Sequence, residues 1–272
     1  MSEQDGRAPG ELPQLDATFG GQTQYRAPFA GDLAGRSLGL VNADGQHASY
    51  VFAGAHDVTR VDAQGTTSRR RYDATAVRED TYLIDMLSDD VSLPDSVPGL
   101  PVSETWALDL RRGLATLVTT VVTDRADGTR WVASSDAHWW LEGAAPGRHE
   151  RSSGMAGVRV LWQYSDTDRY DHIYLNGSSF AWQCVSGTEQ GLTELDRTRA
   201  YAIADDLYFF GWSEHVQPVE SMLFVDLSAM KSIGRMIGWE EHTGAFVHHQ
   251  FGAVGTLLNR TTYPPLRPLA CG

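Results

Sequence analysis

One stretch of the chain has polar and aromatic side chains at the spacing that could line a ligand pocket. Residues 170–184 pass through a turn at Asn176-Gly177, and every second residue on either side of it is aromatic, histidine or cysteine. These residues are Tyr170, His172, Tyr174, Phe180, Trp182 and Cys184. Because side chains alternate along a strand, they share one face of a predicted hairpin. A hydrophobic core does not need such a face, and a pocket does.

A second run, residues 207–214, ends in a carboxylate. Tyr208, Phe210, Trp212 and Glu214 share a face by the same alternation. A carboxylate among apolar walls has a raised pKa and can transfer protons. His172 suits acid-base work because the ordinary pKa of histidine lies near neutrality. Two alternatives stay open: a core histidine bonded to a backbone carbonyl, and a glutamate exposed on the rim.

We therefore predict His172 and Glu214 as catalytic residues of one pocket. The predicted substrate-binding residues are Tyr170, Tyr174, Trp182, Cys184, Tyr208 and Trp212. Cys184 is interpreted as a buried small side chain, because a nucleophilic thiol needs an activating base and an oxyanion site.

Composition excludes several classes of partner. The chain has 22 basic and 35 acidic residues, a net charge of −13, so nucleic acid and anionic membranes are poor partners. No glycine-rich phosphate loop, nucleophile elbow or dinucleotide fingerprint occurs. Asp136, His138 and Glu142 share a strand face but spread over roughly 13 Å, which disfavours a metal site. We predict no cofactor and no metal, and we leave homo-oligomerisation open.

The ends of the chain and its cysteines favour a cytoplasmic protein. The first 13 residues are polar, and no apolar run of 18 residues occurs. Cys184 and Cys271 lie far apart and show no zinc-type spacing. Lys231 is the only lysine, which is typical of a GC-rich bacterial genome.

Short alternating runs separated by turn residues predict an all-β fold with little helix. Residues 1–30 are predicted to form an extended or poorly ordered arm. Eight predicted strands follow up to residue 141, and nine more begin at residue 158, including 199–204, 245–250 and 255–258. Asp44-Gly45, Asp127-Gly128 and Asn176-Gly177 are typical of hairpin turns.

The two sets of strands repeat each other. Residues 33–38, 50–52, 78–86 and 106–110 resemble residues 155–160, 180–182, 204–212 and 223–227, with offsets between 117 and 130. The repeat predicts two modules, residues 31–150 and 151–272, each an up-and-down barrel or, alternatively, a sandwich. It pairs Phe52 with Trp182 and Met86 with Trp212, so the N-terminal module is predicted to be a scaffold.

Five motifs together carry a family resemblance. They occupy residues 106–113, 170–177, 180–187, 203–208 and 212–214. With them the chain resembles the MoaF family, named for molybdenum cofactor biosynthesis, and less directly the calycin (lipocalin-like) barrels. The resemblance covers about residues 31–265. It implies two fused calycin-like barrels and a role around molybdenum cofactor, and calycin relatives range from carriers to phenolic acid decarboxylases and cyclases.

Two functions follow as hypotheses. The first is a cofactor-independent lyase, isomerase, decarboxylase or cyclase that acts on a small apolar or aromatic metabolite in the C-terminal barrel. The second is a ligand carrier without turnover, linked to molybdopterin. A carrier for an anionic pterin would need inward arginines, for which Arg159, Arg169, Arg199 and Arg235 are candidates. A third possibility is a structural module whose C-terminal barrel is packed solid.

Overall fold

The computed structural model describes residues 14–88 and 93–262, and it contains two closed barrels of eight antiparallel strands. The predicted all-β fold of two fused barrels is confirmed. The N-terminal barrel contains β1 Ser37–Asn42, β2 His47–Phe52, β3 Asp57–Asp62, β4 Thr67–Arg78, β5 Thr81–Ser88, β6 Val102–Asp109, β7 Leu114–Asp124 and β8 Arg130–Leu141. The C-terminal barrel contains β9 Val158–Gln163, β10 Arg169–Tyr174, β11 Ser179–Ser186, β12 Thr193–Ala204, β13 Leu207–Ser213, β14 Val219–Asp226, β15 Lys231–Glu240 and β16 Ala245–Arg260.

Each strand pairs with its neighbours in the chain, and the first strand of each barrel pairs with the last. The turns follow from local chemistry. Gly45 and Gly128 have positive φ values of 73° and 84°, which glycine adopts without strain. Asn176 Oδ1 accepts a hydrogen bond from the amide of Ser178 at 2.8 Å and so closes the hairpin between β10 and β11.

Alternation along the strands fills each barrel with one face of every strand. The cluster in the C-terminal barrel includes Tyr170, Trp182 and Trp212, and that in the N-terminal barrel includes Tyr50 and Trp106. Burying an aromatic side chain of this size stabilises a fold by roughly 1.5–3 kcal/mol. The predicted inward faces of β10, β11 and β13 are those that the structure buries.

The two barrels pack side by side through their outer faces. All eight residues of β14 are buried, because one face fills its own barrel and the other meets the N-terminal barrel. Arg235 is fully buried at this interface, where its guanidinium donates to the hydroxyls of Thr105 at 2.6 Å and Thr120 at 2.8 Å. These bonds satisfy a charge that would otherwise be costly to bury.

The N-terminal arm differs from the prediction of an extended or poorly ordered segment. Within its described residues, a short α-helix (α1, Leu15–Gly20) leads into a 3₁₀ turn over Gly21–Thr23. Leu15 is buried in the cluster of the C-terminal barrel. Its amide donates to Glu240 Oε2 at 2.8 Å, which caps a free helix N–H. The arm therefore covers one end of the C-terminal barrel.

Two predicted strand boundaries were wrong. Residues 245–250 and 255–258 belong to one strand, β16, since Gly252 and Gly255 lie within its ladder. Strand β12 begins at Thr193 and not at residue 199. Cys271 lies outside the described residues. In the described part of the chain, no helix has the length and apolar character needed to span a bilayer.

Candidate functional site

A small cavity lies at the end of the C-terminal barrel where the arm packs. It is lined by Gln22, Tyr164, Tyr170, His172, Trp182, Glu189, Trp212, Glu214 and Met236. The free space is about 20 Å³, enough for roughly one water molecule. The cavity is therefore too small for an organic molecule in this conformation, and the arm contributes part of its wall through Gln22.

Five of the eight predicted site residues line this cavity: Tyr170, His172, Trp182, Trp212 and Glu214. Strand β10 supplies Tyr170 and His172, β11 supplies Trp182, and the end of β13 supplies the other two. Tyr174, Cys184 and Tyr208 do not line it, contrary to expectation. Tyr174 accepts a hydrogen bond from Trp162 Nε1 at 3.2 Å, deeper in the barrel.

Tyr208 and Cys184 lie outside the cavity because of their positions along β13 and β11. Tyr208 lies near the start of β13, at the opposite end of the barrel, where its hydroxyl meets the backbone of Gly154. The Cys184 thiol donates to the carbonyl of Ser186 at 3.3 Å. Burial raises the pKa of Cys184 to about 11, so the thiol is protonated at neutral pH and is a poor nucleophile.

His172 is buried among aromatic rings. Its ring lies 5.3 Å from that of Phe180 and 6.0 Å from that of Trp212, both edge-on. Within the described residues its ring nitrogens make no hydrogen bond, so they are available to a molecule in the cavity. Burial lowers the pKa of His172 to about 3, in contrast to the near-neutral value predicted from sequence. The imidazole is therefore neutral at physiological pH.

Glu214 has the opposite shift. The residue is partly exposed at the end of β13, but its carboxyl group lines the cavity. Burial raises the pKa of Glu214 well above its usual range, and the nearby carboxyl groups of Glu189, Glu194 and Asp196 raise it further. The indole N–H of Trp212 offsets this only slightly, without reaching the geometry of a hydrogen bond. Glu214 is therefore able to hold a proton near neutral pH.

A hydrogen-bonded chain joins the arm to the cavity floor. Tyr170 donates its hydroxyl proton to Glu189 Oε2 at 2.8 Å, and Gln22 Nε2 donates to the same hydroxyl oxygen at 3.3 Å. Glu189 comes from the turn between β11 and β12. Gln24 continues the attachment of the arm, because its side-chain amide bonds both the backbone and the carboxylate of Asp166.

The sequence analysis missed two carboxyl groups on the inner face of β12, Glu194 and Asp196, which lie near the cavity but do not line it. Trp182 Nε1 donates to Asp196 Oδ2 at 2.8 Å, and His215 contacts the other oxygen of Asp196 at 3.1 Å. Burial raises the pKa of Glu194 to about 7, and Asp196 and then Glu189 add to this. The sequence offered one signal for their inward direction, which is the alternation of strand positions 194, 196, 198 and 200.

None of the four predicted inward arginines lines the cavity. Arg159 forms a bidentate pair with Asp171 on the outside of the barrel, and Arg169 is exposed. Arg199 pairs with Glu220 beside Ser134 of the N-terminal barrel. Arg235 lies at the barrel interface. These side chains point outward because their strand positions alternate with the cavity-lining ones.

The strand register identifies the counterparts of the site in the N-terminal barrel. Tyr50 pairs with Leu38 across β1 and β2, as His172 pairs with Val160 across β9 and β10. The predicted pairing of Phe52 with Trp182 was wrong, because β2 is the second strand of its barrel and β11 the third.

Two further counterparts follow from the same alignment of strands. Asp196 pairs with Phe180, and at the matching position Arg70 pairs with Val58. Met86 and Trp212 occupy the same place in β5 and β13, as predicted.

Comparison with known families agrees with this architecture. The family model of the MoaF N-terminal domain matches residues 11–124, and that of the MoaF C-terminal domain matches residues 149–261. The chain belongs to the MoaF family. The second match contains all five cavity-lining residues that were predicted from sequence.

Individual relatives of this MoaF family member cover part of the chain. Protein MoaF of Klebsiella aerogenes is 37% identical over 113 residues, which are 41% of this chain and 43% of that protein. The match thus spans less than half the length of this relative. A crystal structure of a Burkholderia vietnamiensis protein, provisionally named a beta-lactamase, has 18% identity and a TM-score of 0.33, and it covers 40% of this chain and all of that one.

Proposed function

We propose that this protein is a cofactor-independent enzyme that performs acid-base chemistry on a small metabolite in the C-terminal barrel. One observation carries the proposal: a protonatable Glu214 lines one cavity together with a neutral His172 that makes no hydrogen bond among the described residues. Two titratable groups whose environments move their pKa values in opposite directions are typical of acid-base sites. Eight-stranded closed barrels also support the likeness to calycins.

The residues take distinct roles in this proposal. Glu214 donates a proton to the substrate and takes one back, because burial raises its pKa well above the usual range of a carboxyl group. His172 acts as a neutral hydrogen-bonding group, since its lowered pKa makes it a weak base. Trp182 and Trp212 form walls, and Tyr170 orients a polar group of the substrate. Lyase, isomerase, decarboxylase and cyclase reactions need only such positioning and one proton transfer.

Entry of a substrate requires the arm to move. A free space of about 20 Å³ does not admit an organic molecule. The described contacts that hold the arm include the buried side chains of Leu15, Thr18 and Gln22 and the hydrogen bonds of Gln22 and Gln24. Segments at the end of a chain open at a lower free-energy cost than the strands of a closed barrel.

Turnover without added cofactor tests this proposal. Dialysed protein is incubated with a small-molecule extract, and the change in every metabolite is followed by mass spectrometry. We expect the wild type to consume at least one metabolite and Glu214→Gln to do so at least 100-fold more slowly. His172→Ala is expected to behave similarly, and Glu79→Gln, an exposed acid on the N-terminal barrel, serves as control.

The same experiment separates an enzyme from a carrier. If Glu214→Gln and His172→Ala both consume the metabolite at the wild-type rate, acid-base catalysis in this cavity is refuted. A metabolite that copurifies with the protein and is never converted would instead indicate a carrier.

A further inference from the structure

Among the described residues, Glu194, Asp196 and Glu214 have no arginine partner of the kind found inside the N-terminal barrel. At the strand position that corresponds to Asp196, the N-terminal barrel has Arg70, whose guanidinium pairs with Glu104 at 2.7 Å. Around the C-terminal cavity, over residues 14–88 and 93–262, no arginine or lysine lines the space or pairs with Glu194, Asp196 or Glu214. The positive charge nearest to these groups in that part of the chain is His215, when protonated, and its side chain is 54% exposed.

Unsatisfied polar atoms inside the barrel point independently to a missing ligand. His172 is 4% exposed, lines the cavity, and has no hydrogen-bond partner among the described residues. The indole N–H of Trp212, which also lines the cavity, is buried without a partner of good geometry. Buried polar atoms in folded proteins nearly always have partners, so a bound molecule accounts for two such groups that line one cavity.

The walls of the cavity specify what kind of molecule fits. Tyr164, Trp182 and Trp212 present aromatic rings to the space, and the π faces of such rings attract cations. A carboxyl group that ionises beside a bound cation adds direct attraction, and the low dielectric of the interior strengthens this attraction. An anionic ligand would oppose that ionisation, and no arginine is among the described residues that line the space.

We propose that the ligand of this cavity is an organic cation, an amine or ammonium compound with an aromatic or apolar body. Its charged head lies toward Glu194, Asp196 and Glu214, and its body lies against Trp182 and Trp212. This inference rests on the proposed function, because it names the substrate class of the same site. In the described residues, no three His, Cys, Asp or Glu side chains are placed to hold a metal ion. The aromatic walls favour an organic cation for the same position.

Three probes of similar size and different charge test the inference: benzylamine, benzyl alcohol and benzoate. Their affinities are measured by isothermal titration calorimetry at pH 7.5 on the full chain. We expect benzylamine to bind at least tenfold more tightly than benzyl alcohol, and benzoate to bind more weakly than both. Glu194→Gln should weaken benzylamine binding about tenfold. The same change should leave benzyl alcohol within twofold, and Glu79→Gln should change neither.

A second variant, Gln24→Ala, tests whether the arm limits the access of benzylamine to the cavity. This change removes contacts to Asp166 at the edge of the arm and leaves the cavity lining intact. It should raise the association rate of benzylamine and preserve the order of the three affinities.

Several outcomes overturn the inference. They are equal binding of alcohol and amine, preferred binding of benzoate, binding of Mg²⁺ without binding of benzylamine, and no binding of benzylamine to either the wild type or Gln24→Ala. Each of these leaves the catalytic proposal standing, because binding is measured apart from turnover. Turnover that survives Glu214→Gln and His172→Ala refutes the catalytic proposal and leaves the ligand class intact.

Discussion

The N-terminal barrel contains a salt bridge between Arg70 and Glu104, whereas Glu194 and Asp196 on the inner face of the C-terminal barrel pair with no arginine among the described residues. Both barrels have eight antiparallel strands in the same order. The N-terminal cavity encloses about 10 Å³ and is lined by apolar and aromatic side chains alone. A barrel that balances its own charge and fills its own space is suited to be a scaffold.

In the C-terminal barrel, Glu194 and Glu214 have no arginine or lysine partner among the described residues near the cavity. Repulsion among its carboxyl groups costs stability, since charges in a low dielectric interact strongly. Natural proteins keep such costs mainly where a ligand or a reaction offsets them. The comparison indicates that the charges of a few inward-facing side chains decide whether a barrel of this fold is a structural scaffold or a ligand-binding site.

The largest effect is expected from breaking the internal pair of the N-terminal barrel. Arg70→Met leaves Glu104 in the interior without its partner and should lower the free energy of unfolding by about 3 kcal/mol. Urea denaturation at pH 7 measures this. The double variant Arg70→Met with Glu104→Gln should recover most of the loss. A loss below about 0.5 kcal/mol for the single variant would mean that solvent already screens this pair.

A smaller effect should follow from loosening the arm on the C-terminal barrel. Leu15→Ala removes a buried side chain and should weaken arm docking by about 2 kcal/mol, a rise of roughly 30-fold in the undocked population. Hydrogen exchange followed by mass spectrometry should show faster exchange at residues 14–24 and around the cavity. Exchange in β2, β5 and β6 should stay unchanged, and Leu15→Met is the conservative control. Uniform acceleration in both barrels would contradict a local role for the arm.

The smallest effect concerns pH. Burial raises the pKa of Glu194 from 4.5 to about 7, so its protonated form is favoured in the folded state. Its contribution to stability is full below pH 4.5 and is lost as the pH rises to about 7. Because the side chain is partly exposed, we expect the difference in unfolding free energy between Glu194→Gln and wild type to grow by only about 1 kcal/mol from pH 5 to pH 8.

Denaturation curves at several pH values measure this difference, with Glu79→Gln as the control for removing one negative charge. A difference that stays constant between pH 5 and pH 8 would show that Glu194 titrates normally in the folded protein.

The sequence by itself determined the strands and which of their faces point inward. Alternation fixed the inward direction of Tyr170, His172 and Trp182, because a strand has a period of two residues. Asp44-Gly45 and Asp127-Gly128 determined two of the hairpins, since Gly45 and Gly128 adopt positive φ values that few other residues tolerate. Large aromatic residues at alternating positions gain most from burial, so the hydrophobic effect and the strand period agree there.

Only the tertiary structure revealed where the carboxyl groups lie. In β12, Leu195 is 59% exposed and Asp196 is 1% exposed, the reverse of the pattern that hydrophobicity predicts. Local propensity does not reveal such a reversal, because the bonds from Trp182 and His215 that stabilise Asp196 come from distant parts of the chain.

Contacts between distant parts of the chain also decide the position of the arm, the environment of Arg235 and the shifted pKa values. Leu15 is buried against strands more than 200 residues away in sequence, and Arg235 is satisfied only by threonines of the other barrel. The pKa values of His172 and Glu214 depend on how completely water is excluded, which no spacing of residues specifies. Sequence determined the residues that face the interior, and the closing of the barrels and the docking of the arm decided which of them share one cavity.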